Sequence, residues 1–370
     1  MCTNPYIRIE FQKLLYQNKQ GGISKKALIY PGWNYNWNYE NALYKKYKKA
    51  IEIGDVKVMP IGCGQCIECR LTKAKKKATQ AVLEAMQHEE NYFITLTYDN
   101  EHLPKNKSIT SPKTGITYTD DGTWGGTLNH KDFQDFMKKL RKRIDKIYGV
   151  QIRDMMCGEY GKNGTNRPHY HAIIYGLPLE EKDCEELFKN DHNQPIYKVQ
   201  WLQDLWGKGI VTVGMCTWNS CNYVARYVTK KYTGEMAEEE YYKKGKIPEY
   251  TTSSNRPGLG YEYFHENYEK IYNTDEIILH DMKGKAVKYK PPRYFDTLYD
   301  RYMPEEMEEI KNHRQKIAEL IQKEKNRNTD ATMKQQFDIR EEALNSKNMA
   351  LMRNYENKNY HIKFVAASQQ

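Results

Sequence analysis

Two histidines separated by one residue, His169 and His171 in RPHYHAIIYG, have types and spacing that can do chemistry. On a strand, side chains at i and i+2 project from the same face, so both imidazoles can reach one divalent ion. Tyr170, Ala172 and Ile174 then face the opposite way, into a core. Two imidazoles leave coordination positions open, and an ion held there can polarise a phosphate oxygen as a Lewis acid. The preceding strand, QIRDMMCGEY, offers a third ligand. An antiparallel hairpin closed by the loop 160–168 brings Glu159 beside the imidazoles. Two imidazoles and a carboxylate, at a site that also accepts phosphate oxygens, favour Mg2+ or Mn2+, although imidazole suits Zn2+ too. Among ten histidines, such a pair also arises by chance.

Tyr223 and Tyr227, in NYVARYVTKK, lie four apart on a stretch read as a helix and so share one face. Arg226 is adjacent, and Lys230 and Lys231 follow within one turn. A phenolate is a competent nucleophile toward a phosphodiester, and nearby cations favour its ionised form. The product is a 5′-phosphotyrosine link and a free 3′-hydroxyl. That link conserves the energy of the phosphodiester, so a later 3′-hydroxyl can reverse it. Tyrosines at this spacing also pack helices onto sheets. The ordered combination (a strand, a histidine strand, then a tyrosine helix with lysine three residues on) is what points to nuclease chemistry. Arg167, beside the histidines, is the cation best placed to touch the scissile phosphate.

Cys63, Cys66 and Cys69 form C-x2-C-x2-C. This spacing suits zinc or an iron–sulfur site. A fourth ligand is missing locally, with Cys157 or a histidine open to supply it through the fold, and three thiols at a helix start without metal is the other reading. The runs KAKKK (73–77) and KKLRKR (138–143) can grip phosphates or be solvated helix faces.

Positioning these groups requires elements that the chain's patterning supplies. Residues 1–60 read as an irregular segment with a Trp/Asn/Tyr-rich stretch. A helix is expected from Cys66 to about Glu90, a strand at NYFITLTYDN, and a turn-rich loop after it. Asn129 or His130 opens a basic helix with the apolar stripe Phe133, Phe136, Met137 and Leu140, ended by Gly149. The histidine hairpin follows, then a helix around LEEKDCEELFKN and a strand in WGKGIVTVGMC. The tyrosine helix takes Asn219 or Ser220 as N-cap and Gly234 as stop. Three segments are expected: 1–60; a catalytic domain, 61–300; and a charged helical extension, 301–370. The fold class is α+β, a central antiparallel sheet covered by helices.

These motifs resemble the HUH endonucleases, the rolling-circle replication and mobilisation nucleases. More narrowly, they resemble replication initiation proteins of small single-stranded DNA phages, the Microviridae, especially the gokushovirus branch. The likeness is carried by FITLTYDN (93–100), GEYG…RPHYHAIIYG (158–176) and YVARYVTKK (223–231). Supporting segments are CGQCIEC (63–69), NRPGLG (255–260) and PPRYF (291–295). It implies a palm of RRM or ferredoxin type, with the metal histidines on a central strand and the tyrosine helix across it. It also implies His169 and His171 as ligands, Glu159 as a third, and Tyr223 and Tyr227 as alternating nucleophiles. Lys230 would contact DNA or assist a tyrosine. Between the histidines, Tyr170 is bulkier than the aliphatic residue usual in the family.

Composition agrees with a polyanionic partner. The chain of 370 residues carries 58 Lys and Arg against 48 Asp and Glu, a net charge of +10, and its 31 tyrosines suit stacking on unpaired bases. No stretch nears the ~20 apolar residues of a membrane span. Eight cysteines make no disulfide scaffold, which fits a reducing bacterial host cytoplasm. The expected activity is nicking of single-stranded origin DNA, with host helicase and polymerase as partners, Mg2+ or Mn2+ as cofactor and a structural Zn2+ as a second metal. The competing readings are a non-catalytic single-strand binder and a relaxase or transposase.

Overall fold

The structure is a computed structural model that describes residues 6–17, 23–31, 42–105, 108–119, 125–161, 166–190, 193–232, 235–280 and 286–327, with part of 335–346. Contacts divide the chain into two units. One holds the residues up to Thr72 and those from Ala318 on, and the other holds Lys73–Ile317.

In the first unit, β1 (Tyr6–Gln17), β2 (Ile23–Pro31) and β3 (Val56–Ile61) form an antiparallel sheet in the order β2-β1-β3. The segment expected to be irregular is therefore a sheet. Its alternation Ile7, Ile9, Phe11 buries one face, with Ile9 fully covered, against Val56, Val58 and the helix α1 (Ala42–Glu52). The alternation is short and its partner strand is some fifty residues away, so local patterning understates it. The Trp/Asn/Tyr-rich stretch lies, from residue 32 to 41, outside the described residues.

The helix α2 (Ile67–Ala85) precedes β4 (Asn91–Thr97) and a two-residue ribbon, β5 (Ile109–Thr110) with β6 (Thr117–Tyr118). Next is α3 (His130–Tyr148). Its N-cap is Asn129, whose side chain accepts from the Lys131 N–H, and Gly149 closes it in the left-handed region at φ 66°, both as expected. The hairpin β7 (Arg153–Tyr160) and β8 (Pro168–Tyr175) sits where the histidine motif requires it.

Beyond it lie β9 (Cys184–Lys189), β10 (Pro195–Val199), α4 (Gln200–Trp206), β11 (Val211–Met215), α5 (Trp218–Lys230), the short α6 (Glu235–Ala237) and β12 (Tyr250–Ser253). Seven strands make one antiparallel sheet in the order β12-β7-β8-β4-β11-β10-β9. The α+β class with a central antiparallel sheet is thus the observed one.

Two local expectations are corrected. The helix placed around LEEKDCEELFKN is a single 3-10 turn, Glu181–Asp183, followed by the edge strand β9. Pairing with β10, from Cys184↔Val199 to Lys189↔Pro195, overrides the helical propensity of its glutamates. The tyrosine helix begins earlier than Asn219. Its N-cap is Thr217, which exchanges a capping box with Ser220. Gly234, its expected stop, lies outside the described residues.

Alternation in the two central strands splits the sheet into two faces. Ile94, Leu96, Tyr170, Ala172 and Ile174 join Phe133, Phe136, Met137 and Leu140 of α3, and Trp206, in one buried cluster. Met155, Cys157, Ile173 and Tyr175 join Ala78 and Ala81 of α2 and Cys221, Val224 and Ala225 of α5 in another. A third cluster, unread in the sequence, gathers α7 (Tyr261–Thr274), β13 (Ile277–His280), α8 (Arg293–Tyr302) and the start of α9 (Pro304–Arg327); β14 (Ala286–Tyr289) pairs with β13. Met307 is buried there and Arg314 pairs with Asp275 and Asp296, so the unit runs to Ile317 rather than ending at residue 300.

Candidate active site

Register decides which side chains meet. Across β7 and β8, Glu159 pairs with His169 and Cys157 with His171. Across β8 and β4, His169 pairs with Thr97 and His171 with Thr95. The hairpin expectation for Glu159 is therefore met. Its Oε1 lies 2.7 Å from His169 Nε2 and 2.8 Å from His171 Nε2. Ligand atoms of all three residues fall within 4.8 Å of one another.

The other nitrogen of each ring is held from behind. His169 Nδ1–H donates to the Arg167 carbonyl at 3.2 Å, and His171 Nδ1 meets Thr95 Oγ1 at 2.9 Å. A carbonyl only accepts, so in a neutral His169 the lone pair sits on Nε2 and faces the carboxylate. Lone pairs of an imidazole and a carboxylate at that separation need a proton or a cation between them. Such a donor set fits a divalent metal, with orientation fixed by the partners behind the rings.

Burial grades the site. Glu159 and His171 are buried, at 5% and 1% exposure, while the His169 side chain keeps 18% and forms the open edge. Burial pushes the Glu159 carboxyl up, but the charge of His169 and hydrogen bonds from both imidazoles outweigh it. The carboxyl is held well below the usual carboxylate range and is an anion at neutral pH.

Tyr223, on the first turns of α5, enters this cluster. Its hydroxyl donates to Glu159 Oε1 at 3.1 Å and stands 3.5 Å from His171 Nε2. Its ring packs edge-on against His171 and Phe93, at 5.2 and 6.0 Å between centroids. Phe93 in turn stacks on His171 at 5.3 Å. One helical turn on, α5 carries Tyr227 and Lys230, whose side chains lie outside the described residues. Arg226 is half-buried on α5, and Lys231 is exposed at its C-cap.

Arg167, expected at the phosphate, uses its guanidinium to bind Asn100 Oδ1 at 2.7 Å and the Tyr98 carbonyl at 2.9 Å. It thereby ties the end of β4 to the start of β8. The basic runs are partly structural. Lys77 donates to Ser253 at 2.9 Å, Lys75 lies over the Tyr289 ring, Arg141 pairs with Asp154 and Arg143 covers Trp201.

Phe93 and Thr95 were not singled out individually in the sequence. The signal that finds them is alternation along FITLT, which puts Phe93, Thr95 and Thr97 on the histidine face. The cysteine triplet is also assembled, with ligand atoms of Cys63, Cys66 and Cys69 within 4.8 Å of one another. Cys157 is instead buried under α5 in the second cluster. Among the described residues, no helix is long and apolar enough to cross a membrane.

An antiparallel sheet that presents two imidazoles, a carboxylate and a helix-borne tyrosine at one point defines a class of metal-and-tyrosine sites. The comparisons agree with that class. Residues 91–232, from β4 to just past α5, match the family of the replication-associated protein ORF2. The replication-associated protein ORF2 of Spiroplasma virus 4 is 31% identical over 261 residues, covering 70% of this chain and 74% of that protein. The replication-associated protein VP4 of Bdellovibrio phage phiMH2K is 27% identical over 267 residues, with the same coverage of 70% and 74%. The replication-associated protein ORF4 of Chlamydia phage 1 is 32% identical over 251 residues, 67% of this chain and 56% of that protein. The chain belongs to this family of phage replication-associated proteins, rolling-circle replication initiators of the Microviridae kind that its motifs resemble. No solved structure matches it.

Proposed function

We propose that this protein nicks single-stranded DNA at a viral replication origin and remains bound to the cut end through Tyr223. The observation that carries this reading is the Tyr223 hydroxyl, within hydrogen-bond reach of both Glu159 and His171. A tyrosine packing a helix onto a sheet has no need of a buried carboxylate and an imidazole at its hydroxyl.

Glu159, His169 and His171 would hold Mg2+ or Mn2+. Bound there, such an ion polarises a non-bridging phosphate oxygen and stabilises the charge that builds in displacement. The protein's own residues do the rest. Glu159 accepts the hydrogen bond of the Tyr223 phenol and orients its oxygen. That oxygen attacks phosphorus, the P–O3′ bond breaks, and the phenolic proton is matched by the one gained at the departing 3′-oxygen. The products are a 5′-phosphotyrosyl strand and a 3′-hydroxyl that primes a host polymerase. Reversal by a 3′-hydroxyl reseals the strand.

Tyr227, one turn along α5, is assigned the second cleavage, which lets one tyrosine hold the 5′ end while the other cuts the regenerated origin. Arg167, Arg226, Lys230 and Lys231 are assigned to the DNA backbone, in keeping with the net charge of +10. Host helicase is the expected partner and the bacterial cytoplasm the expected setting.

The test is incubation with circular single-stranded viral DNA and Mn2+, followed by a denaturing gel. A protein–DNA adduct that disappears with EDTA and in Tyr223→Phe/Tyr227→Phe supports the proposal. Tight DNA binding without an adduct, in a protein shown to bind Mn2+, refutes it in favour of a binding module.

A further inference from the structure

The cysteine triplet lies outside the matched family stretch and takes no part in the nuclease reading. We infer that Cys63, Cys66 and Cys69 form a zinc site that locks the turn between β3 and α2. Three observations carry this. First, the three sulfurs already converge, within 4.8 Å of one another. Second, two backbone N–H groups donate to Cys63 Sγ, from Gln65 at 3.4 Å and Cys66 at 3.2 Å. Such bonds orient a sulfur and favour its thiolate form, as metal ligation requires. Third, the backbone makes room. Gly64 takes φ +76°, which L side chains rarely adopt, and a Cβ at Gly62 would meet Cys69 Sγ at 3.0 Å.

The helix start adds to this. Ile67 opens α2, so Cys66 and Cys69 stand at its positive end, where thiolates are stabilised. Thiolate sulfur in C-x2-C spacing selects zinc over the hard cations suited to Glu159 and the histidines. Three thiolates leave one corner of a tetrahedron. Cys2 stands four residues before Tyr6, whose pairing partner Ile61 stands two before Cys63, so chain length allows Cys2 to fill it. The sheet β2-β1-β3 has a small core in which only Ile7, Ile9 and Val56 are buried among the described residues, and metal ligation compensates for such a core.

The test uses the full chain, reduced and metal-stripped, titrated with Zn2+ and with Co2+. One zinc per chain is expected in the wild type and in His169→Ala/His171→Ala, and none in Cys63→Ser/Cys66→Ser/Cys69→Ser. Co2+ bound to the wild type must show the near-ultraviolet charge-transfer band of thiolate ligation, a readout that holds even if the triple variant fails to fold. Zinc that is lost with the histidines, a Co2+ spectrum without that band, or stoichiometric iron and sulfide in the protein as purified would each overturn the inference. None of these outcomes depends on DNA cleavage, so nuclease activity stands or falls separately.

Discussion

The strand β8 has two faces that differ by one residue in register and entirely in purpose. Toward α3 it presents Tyr170, Ala172 and Ile174, all buried in an apolar cluster. Toward α5 it presents His169 and His171 at one end and Ile173 and Tyr175 at the other. The polar group on the α3 face is used as a stitch. The Tyr170 hydroxyl donates to the Asn129 carbonyl and accepts the Asn129 N–H, both at 2.8 Å, and so fixes the start of α3 to the middle of the sheet. On the α5 face the polar groups converge on one carboxylate oxygen instead. A polar group with all its bonds made holds the fold, whereas one aimed at a shared point is available for a ligand.

The comparison is sharpened by substitutions that separate the faces. Tyr223→Phe, on the α5 side, is expected to abolish adduct formation while the melting temperature stays within a few degrees. A collapse of the fold instead would make Tyr223 a packing residue. His169→Ala/His171→Ala should lose Mn2+ binding in calorimetry, and an unchanged affinity would remove the metal site. Tyr170→Phe, one residue away, should keep Mn2+ binding but lose ~1–3 kcal/mol in urea unfolding, because buried backbone groups of Asn129 lose their partner.

Gly158 belongs with that residue. It pairs with Tyr170, and a Cβ there would meet Leu128 at 2.9 Å and the Tyr170 ring at 3.2 Å. Gly158→Ala is expected to cost about 1–3 kcal/mol by overpacking. The effect should be smaller in a Tyr170→Leu background, and equal costs in both would deny the coupling.

The same face has a pH signature. Burial pushes the Tyr170 hydroxyl up to about 12, from an ordinary value of 10.0. A raised folded-state value means the folded protein holds the proton longer, so the stabilisation is full below pH 10 and is lost as pH rises toward 12. Stability should fall over that window, and less steeply in Tyr170→Phe. Smallest of all, Thr95→Val should weaken Mn2+ binding by roughly tenfold through loss of the bond to His171 Nδ1, leaving stability nearly unchanged.

Much of this was legible in the chain. The i, i+2 histidines and a nearby acidic residue in a hairpin placed the metal ligands, because strand geometry leaves little choice once register is set. Asn129 and Gly149 marked α3 because caps are local chemistry. Nonlocal pairing was less legible. Nothing within LEEKDCEELFKN says that β10 will claim it as an edge strand, and β1 meets β3 across some fifty residues. The role of Thr95 waited on register too, since a threonine in a strand becomes a histidine's partner only when a neighbouring strand brings the histidine opposite. Tyr223 was one of a pair in the sequence. Its hydroxyl contacts distinguish it as the residue at the carboxylate.

The most direct test of the central claim is to identify the residue that carries DNA. A short single-stranded origin oligonucleotide would be cleaved in Mn2+, the adduct trimmed with nuclease and protease, and the nucleotide-bearing peptide sequenced by mass spectrometry. The account predicts a 5′-phosphonucleotide on Tyr223. A nucleotide found on Tyr227 alone, or on a residue outside α5, would contradict it.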